Sequence, residues 1–403
     1  MSDFSQAGAI TTLHNLTDRP LEDIEAELLG FSRKNPMTLI LPSLFSELEG
    51  PALGNIIEKL AGAAYLNEIV IGLDRADAAQ FEQARRFFDR LPQKKTILWN
   101  DGPALRAMDA RLAEEGLSPT QEGKGRNVWF CMGYILAANN AKVVALHDCD
   151  IVTYERDLPA RLFYPLANPL FDFVFAKGYY SRIHDNRLSG RAVRLLVAPL
   201  ISSLKQLLEH QPYLEFLGSF RYPLSGEFGM RTEIIPAIRI PGDWSLEVGM
   251  LSEIYRNVSA RHVCQVDIAD NYDHKHQNMG GDDYGSGLSR MAHEIAKAIF
   301  RKLATEGVQL SSAFFRTLKA TYYRQALDMI ERYEADALLN GLLFDRHAEE
   351  QAVELFTRAV ARAGEVYLGH PEEVPFMANW NRVFSAIPDF SDALLSAVEL
   401  DNR

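Results

Sequence analysis

Cysteine is scarce in this chain: three in 403 residues, Cys131, Cys149 and Cys264, none at a metal-binding spacing from another. No disulfide framework is expected, and the pattern suits a reducing compartment. Positive charge is scarce as well, with 42 lysines and arginines against 54 aspartates and glutamates and a formal net charge of −12. Nothing basic is abundant enough to neutralise phosphates along a duplex, so nucleic acid is not an expected partner. A local Lys/Arg cluster can still hold a small anion in an acidic protein. Long apolar runs are also missing. The nearest, "AVRLLVAPLISSLKQLL", is broken by Arg194, Pro199, Ser202, Ser203 and Lys205, short of the ~18 apolar residues that mark a membrane span. It reads as a buried or amphipathic helix. The opening "MSDFSQAGAITTLHN" has no apolar signal-peptide core, so a cytoplasmic protein with no membrane partner is expected. Internal repeats and low-complexity tracts are absent from the sequence.

What remains is ordinary globular composition, 47% hydrophobic and 24% charged, with length for one large α/β domain and a smaller appendage. Residues 1–36 read as a helical or irregular lead-in. "MTLILPSL" (37–44) is a buried strand ending at Pro42, followed by a helical "PALGNIIEKLAGAAY". "NEIVIGLD" (67–74) and "KKTILWND" (94–101) are further strands, with the helix "AAQFEQARRFFDRL" between them. The helix "RNVWFCMGYILAAN" (126–139) leads into the strand Val143–Leu146. This alternation implies βαβ units and a mostly parallel sheet with right-handed crossovers.

Beyond Asp150 the pattern changes. "FDFVFAKGYYSR" is a strand, "GRAVRLLVAPLISSLKQLLEH" a long helix, and "YPLSGEFGMRTEIIPAI" a Gly-rich turn with a short helix. "HVCQVDIADNYDHKHQ" is a strand entering a histidine-rich loop, and from about 287 onward the periodicity is helical. The expected organisation is a lead-in over 1–36, a catalytic domain over 37–290 and a helical region over 291–403.

Chemistry concentrates in "ALHDCDIV", where a buried strand ends in Asp148-Cys149-Asp150. Adjacent carboxylates repel unless something positive lies between them, and the carboxyl ends of strands are where open α/β sheets bind ligands. The plain alternative is a solvated loop. In "LPSLFSELEG", Glu47 and Glu49 follow the strand end and suit a base or ribose edge, or else a helix N-terminus that favours acids. In "EGKGRN" two glycines flank Lys124 just before a helix, which lets backbone and ammonium approach a phosphate, or marks a simple turn. In "DNYDHKHQNMGGDD", His274 and His276 point to opposite sides of an extended chain. One of them, at most, joins Asp150 on a metal, and the other faces substrate. Together these features describe a nucleotide-sugar site: Mg²⁺ or Mn²⁺ bridging a diphosphate, with the departing nucleoside diphosphate stabilised by lysine and histidine. Two rival readings fit part of this pattern. A haloacid-dehalogenase-like phosphatase also has strand-then-D-x-D, but that strand normally opens its domain, and here three strand candidates precede it. A non-catalytic sugar-nucleotide sensor is the other.

The order strand–Pro–loop–Glu, "GKG", D-x-D, "SGRAVRLLVAPL", "YPLSGEFGMRTE", "DWSLEVGML" and a late Asp-His resembles the glucosyl-3-phosphoglycerate synthases, retaining GT-A glycosyltransferases, over roughly 37–300. The resemblance implies a GT-A-like, Rossmann-type α/β fold and transfer of glucose from UDP-glucose to the 2-hydroxyl of 3-phosphoglycerate with Mg²⁺ or Mn²⁺. By position it implies Pro42, Ser43, Leu44 and Glu47 against uracil and ribose, with Asp74 close by. Lys124 would meet donor phosphate or sugar, and Asp148 the ribose or sugar. Asp150 and His274 would ligate the metal, and Glu247 would bond glucose hydroxyls, making Asp150, Glu247 and Lys124 the catalytic group. Gly190 and Arg191 match the acceptor-binding pair, with Lys275 and His276 beside them. Two positions depart from the family: Val193 replaces a hydroxyl residue, and the basic–amide–basic run after the late histidine is here Lys275-His276-Gln277. Arginine to glutamine is not conservative for an anion, so a mannosyl donor or a glycerate acceptor stays as an alternative. No acid stands out as a covalent nucleophile, and front-face substitution is expected. The apolar "LLVAPLISSL" helix makes a homodimer plausible.

Overall fold

The apolar runs Met37–Leu44 and Val143–Leu146 lie side by side and parallel, Met37 opposite Val143 and Ile40 opposite Leu146. Strands read as continuous apolar runs when both faces of their sheet are covered. All four residues of the second strand are buried. The computed structural model describes residues 6, 8–17, 19–119, 121–274, 287–371 and 376–402.

Among them the strands are β1 (Thr11–Leu13), β2 (Met37–Leu44), β3 (Leu66–Asp74), β4 (Lys94–Trp99), β5 (Val143–Leu146), β6 (Phe175–Tyr180), β7 (Ile183–His184), β8 (Arg187–Leu188), β9 (Phe228–Arg231) and β10 (Val263–Ala269). The helices are α1 (Leu21–Ser32), α2 (Pro51–Ala61), α3 (Ala78–Phe88), α4 (Pro103–Glu114), α5 (Lys124–Ala138), α6 (Asp157–Ala167), α7 (Ala198–Leu207), α8 (Pro212–Gly218), α9 (Leu246–Asn257), α10 (Gly287–Thr305), α11 (Ser312–Leu339), α12 (Arg346–Gly369), α13 (Trp380–Ala386) and α14 (Phe390–Asp401). Eight strands form one sheet in the order β1-β10-β6-β9-β5-β2-β3-β4, and β7 and β8 form a separate hairpin. Only β9 runs antiparallel to its neighbours, β5 and β6. The expected α/β class with a mostly parallel sheet is what the chain adopts.

Several local expectations differ. β2 does not stop at Pro42 but continues to Leu44, still paired with β3 at Asp74. A proline lacks only its own N–H, so the carbonyl side of the ladder continues. The lead-in supplies β1, an edge strand paired with β10. "FGMR" is a strand, not a turn; four residues with Gly229 among them carry too little alternation to be seen. The 190–210 segment is not one α-helix, because Ala192–Val197 is π-helical before α7 begins. The apolar face of α7 is not an outer surface either. Leu200 and Leu204 are wholly buried, α11 packs on this helix, and Tyr322 of α11 donates to the Leu195 carbonyl at 2.7 Å. The chain covers that face itself, which removes the argument for a dimer there.

The helical residues after 287 share a core with the sheet. Trp380 stacks on Trp129 of α5, centroids 4.1 Å apart, over Gly133, whose added Cβ would lie 2.1 Å from the indole. At the sheet's far edge, Asn402 accepts from the Ile97 amide at 3.2 Å and donates to the Ile97 carbonyl at 2.7 Å. No helix among the described residues is long and apolar enough to cross a membrane.

Candidate active site

Parallel strands β2, β3 and β5 end at one rim, and that placement brings the predicted donor residues together. Pro42, Ser43 and Leu44 finish β2, with Glu47 in the 3-10 turn that follows; Asp74 finishes β3, and Asp148 and Asp150 lie just past β5. Lys124 is the first residue of α5 and Glu247 lies in the first turn of α9. All of these, with Gly190, Arg191 and His274, line one open cleft of about 1070 Å³. Lys275 and His276 lie outside the described residues.

Two glycines fix the lysine for separate reasons. Gly123 has φ +143°, a region other residues rarely adopt, and Gly125 abuts the Pro241 carbonyl, where a Cβ would come within 2.2 Å. The start of α5 is thus pressed against the 241–242 backbone. Lys124 Nζ then sits 2.7 Å from Asp148 Oδ1 and 3.1 Å from Glu247 Oε1. Burial works against the ammonium, but the two carboxylates outweigh it and hold its pKa above the ordinary value. Burial likewise opposes the charge of Asp148, and Lys124 reverses that, holding its carboxyl below the usual range. The sequence question of what separates the two acids has a first answer here: Asp148 is turned onto a lysine.

Among the described residues Asp150 has no lysine or arginine at salt-bridge distance. Its carboxyl is pushed up to about 7, first by burial, then by Asp148, with Glu47 and Glu227 adding and Lys124 opposing. His274 Nδ1 is 3.9 Å from Asp150 Oδ2. The late loop is laced to the D-x-D loop by an Ile151–His274 bridge, by Val152 N–H to the Asp273 carbonyl at 2.8 Å and by Asp273 N–H to Thr153 Oγ1 at 2.9 Å. Among the described residues no three metal-ligating side chains converge. A carboxylate oxygen and an imidazole in a negative pocket nevertheless suit a hard divalent cation that takes its other ligands from diphosphate and water. The residues present fit such an ion.

Sequence reasoning gave no role to what lies beneath. Because β9 is antiparallel, its start meets the carboxyl end of β5 and the middle of β6, with Phe228 opposite Leu146 and Lys177. That sets Gly226 against Asp148, where a Cβ would lie 2.3 Å from Oδ2. Glu227, wholly buried, accepts from Tyr180 at 2.6 Å, Tyr272 at 2.9 Å and Ser225 Oγ at 3.1 Å. The two tyrosine rings stack 3.8 Å apart. Burial raises the Glu227 carboxyl, and Asp148 adds to it. Lys177, also wholly buried, donates to the Ser225 carbonyl at 2.7 Å, and burial lowers it to about 8. His147 meets Tyr154 Oη at 2.9 Å and is held neutral by burial, down to about 3. The signal for Glu227 was present in "PLSGE", but a strand hidden in "FGMR" left it without a place.

The residues expected to meet the acceptor differ in origin. Gly190 turns at φ +75°, a conformation that favours glycine, and Arg191 leads into the π-helical segment. Arg191 Nε lies 2.7 Å from Glu349 Oε1 of α12. The same carboxylate holds Arg194 at 2.8 Å through Oε2. Arg182 also lines the cleft and donates to Tyr222 Oη at 3.0 Å.

No family model matches the sequence. The chain is 46% identical over 402 residues to the glucosyl-3-phosphoglycerate synthase of Persephonella marina, covering 100% of this chain and 99% of that protein. It is 37% identical over 398 residues to the enzyme of that name from Methanococcoides burtonii, covering 97% and 96%. Among solved structures, it is similar to glucosyl-3-phosphoglycerate synthase from Mycobacterium tuberculosis in complex with Mn²⁺, UDP-glucose and phosphoglyceric acid. That match has a TM-score of 0.53 and 16% identity, covering 73% of this chain and 88% of the other. The same enzyme has been crystallised with Mg²⁺ and UDP. At such identity the structural likeness concerns the fold.

Proposed function

Because the chain belongs to the glucosyl-3-phosphoglycerate synthase family, we propose that it transfers glucose from UDP-glucose to the 2-hydroxyl of 3-phosphoglycerate, with retention at the anomeric carbon. The observation that carries this reading is the cleft in which Lys124, Asp148, Asp150, Glu247 and His274 face Gly190 and Arg191. Asp150 and His274 would hold Mg²⁺ or Mn²⁺. When bound, that ion supplies positive charge against a diphosphate leaving group. The end of β2, from Pro42 to Leu44, with Glu47 and Asp74, receives uracil and ribose. Glu247 orients the sugar hydroxyls, and Asp148 holds Lys124 where the donor phosphates lie. Arg191 receives the acid groups of the acceptor, with Lys275 and His276 assigned beside it. The donor, metal and Gly190–Arg191 residues fall within 37–290, and the helical region 291–403 adds the wall at Leu343–Glu349.

The carboxylates nearest the reacting centre are engaged. Asp148 and Glu247 are tied to Lys124, and Glu227 is wholly buried under two tyrosines. Front-face substitution follows. The bond from the anomeric carbon to the diphosphate oxygen breaks, the acceptor oxygen bonds to the same face, and its proton passes to the leaving diphosphate. Lys124, held charged by its two partners, stabilises the negative charge that develops there.

A grid of donors (UDP-, ADP- and GDP-glucose, GDP-mannose) against acceptors (3-phosphoglycerate, glycerate, glycerol), with and without divalent metal, tests the reading. UDP-glucose with 3-phosphoglycerate and metal is expected to give the highest turnover. Higher turnover with GDP-mannose or with glycerate would replace the donor or acceptor assignment.

A further inference from the structure

The acceptor arginine is held from a distant part of the chain. The turn between α11 and α12 is fastened to the β7–β8 hairpin by the Leu343 amide on the Asn186 carbonyl at 2.8 Å and by a backbone bridge between Arg187 and Leu343. Asp345 caps α12 by accepting from the Ala348 amide at 3.1 Å. One turn later Glu349 is delivered into the cleft wall, 4% exposed. Its oxygens divide between two guanidinium groups, Arg191 Nε at 2.7 Å and Arg194 Nη1 at 2.8 Å.

The two arginines are used differently. Arg194 is buried, donates also to the Ser189 carbonyl at 2.9 Å and the Leu188 carbonyl at 3.2 Å, and lies over the Tyr333 ring. It is a fixed part of the hairpin base. Arg191 is 30% exposed and lines the cleft. One carboxylate shared between two guanidinium groups leaves part of the Arg191 charge uncompensated by Glu349. A carboxylate facing Arg191 alone would have cancelled it. Holding the guanidinium by Nε fixes the plane of a fork whose geometry suits carboxylate or phosphate oxygens.

We propose that Glu349 is a positioning residue of the acceptor site: it orients Arg191 toward the anionic acceptor, so that the C-terminal helices form part of acceptor recognition. This rests on the assignment of Arg191 to the acceptor. Preorganisation lowers the ordering cost of binding, so its loss is read in acceptor affinity and not in donor affinity.

The test is a double-mutant cycle with Glu349→Gln and Arg191→Ala, measuring KM for 3-phosphoglycerate, KM for UDP-glucose and kcat. Glu349→Gln is expected to raise acceptor KM about three- to tenfold with donor KM unchanged, the scale of one weakened hydrogen bond to a charged group. In the Arg191→Ala background the same change is expected to have no further effect, which a purely structural role does not predict. Unchanged or lowered acceptor KM in Glu349→Gln overturns the inference, and so does an equal rise in both backgrounds. If Arg191→Ala alone leaves acceptor KM unchanged, the acceptor assignment fails and takes this inference with it. If Glu349→Gln does not fold, Glu349→Asp enters the same cycle. It keeps the charge on a shorter arm, and a smaller rise that disappears with Arg191→Ala is expected.

Discussion

On the proposed donor side of the cleft, Pro42, Asp74 and Asp148 stand at or just past the ends of three neighbouring parallel strands. On the proposed acceptor side, Gly190, Arg191 and Glu349 come from a turn, the cap of a π-helical segment and a helix far along the chain. The first arrangement is inherited from the sheet, since the register that pairs β2 with β3 and β5 also sets where the side chains emerge. The second is assembled by contacts between segments that have no common ladder. A donor site of that kind tolerates variation around it; an acceptor site of this kind can be altered one tie at a time.

The largest effect expected is on the donor side. Asp150→Ala removes the carboxylate proposed to hold the divalent ion and is expected to lower kcat by about two orders of magnitude or more. The thermal midpoint is expected to stay at or above the wild-type value, because a half-buried, repelled carboxylate is relieved. Direct Mn²⁺ binding, measured as loss of the free ion's electron spin resonance signal, should weaken in parallel; an unchanged Mn²⁺ affinity removes Asp150 from the ligand set.

The charged layer under the donor site predicts a pH signature of stability. Lys177 has its pKa lowered to about 8 from an ordinary 10.5, so between those values the unfolded chain binds a proton that the folded one does not. Its contribution to stability therefore rises with pH across that window. Urea unfolding of wild type and Lys177→Met at pH 8 and pH 10 should show the difference, wild type minus variant, growing by about 2 kcal/mol. A flat difference means that Lys177 is charged throughout in the folded protein.

On the acceptor side, Arg191→Ala is expected to raise KM for 3-phosphoglycerate about ten- to hundredfold, the loss of a charge-assisted hydrogen bond of ~1.5–3 kcal/mol. KM for UDP-glucose should barely move, and glycerate, lacking the phosphate, should show a smaller change. Equal shifts in both substrates would erase the distinction between the two sides. The smallest effect concerns base choice. Glu47→Ala is expected to narrow the preference for UDP-glucose over ADP-glucose by about three- to tenfold, one hydrogen bond's worth, in competition assays with both donors present.

The contrast between the two sides also governs what could be read without coordinates. Asp148 and Asp150 announce themselves because an apolar strand ends in acids, and strand ends bind ligands whatever the tertiary detail. Lys124 is visible through its glycines, although Gly125 owes its place to the Pro241 carbonyl and not to a phosphate. Glu227 was hidden because β9 is short, antiparallel and interrupted by Gly229, and only its pairing between β5 and β6 makes Glu227 a neighbour of the D-x-D loop. Glu349 was out of reach altogether. It is one acid among several on a helix with the usual charged positions, and nothing local distinguishes it from Glu350, which pairs with Arg346 on the surface at 3.0 Å. Only the docking of the α11–α12 turn on the hairpin decides which acid meets Arg191.

The pairing of Asn402 with the backbone of Ile97 sets an order of events during synthesis. β4 is the outermost strand, and its amide and carbonyl at Ile97 are met by a side chain 305 residues later. A ribosome releases β4 well before Asn402, which follows Ile97 by 305 residues. Until Asn402 emerges, the nascent chain therefore offers an open strand edge at Ile97 to any neighbour on the same polysome. Open edges are templates for pairing with foreign strands. Production of this protein should accordingly be most prone to misassembly when translation is slow relative to folding, with the exposed edge closing only as α14 settles against β4.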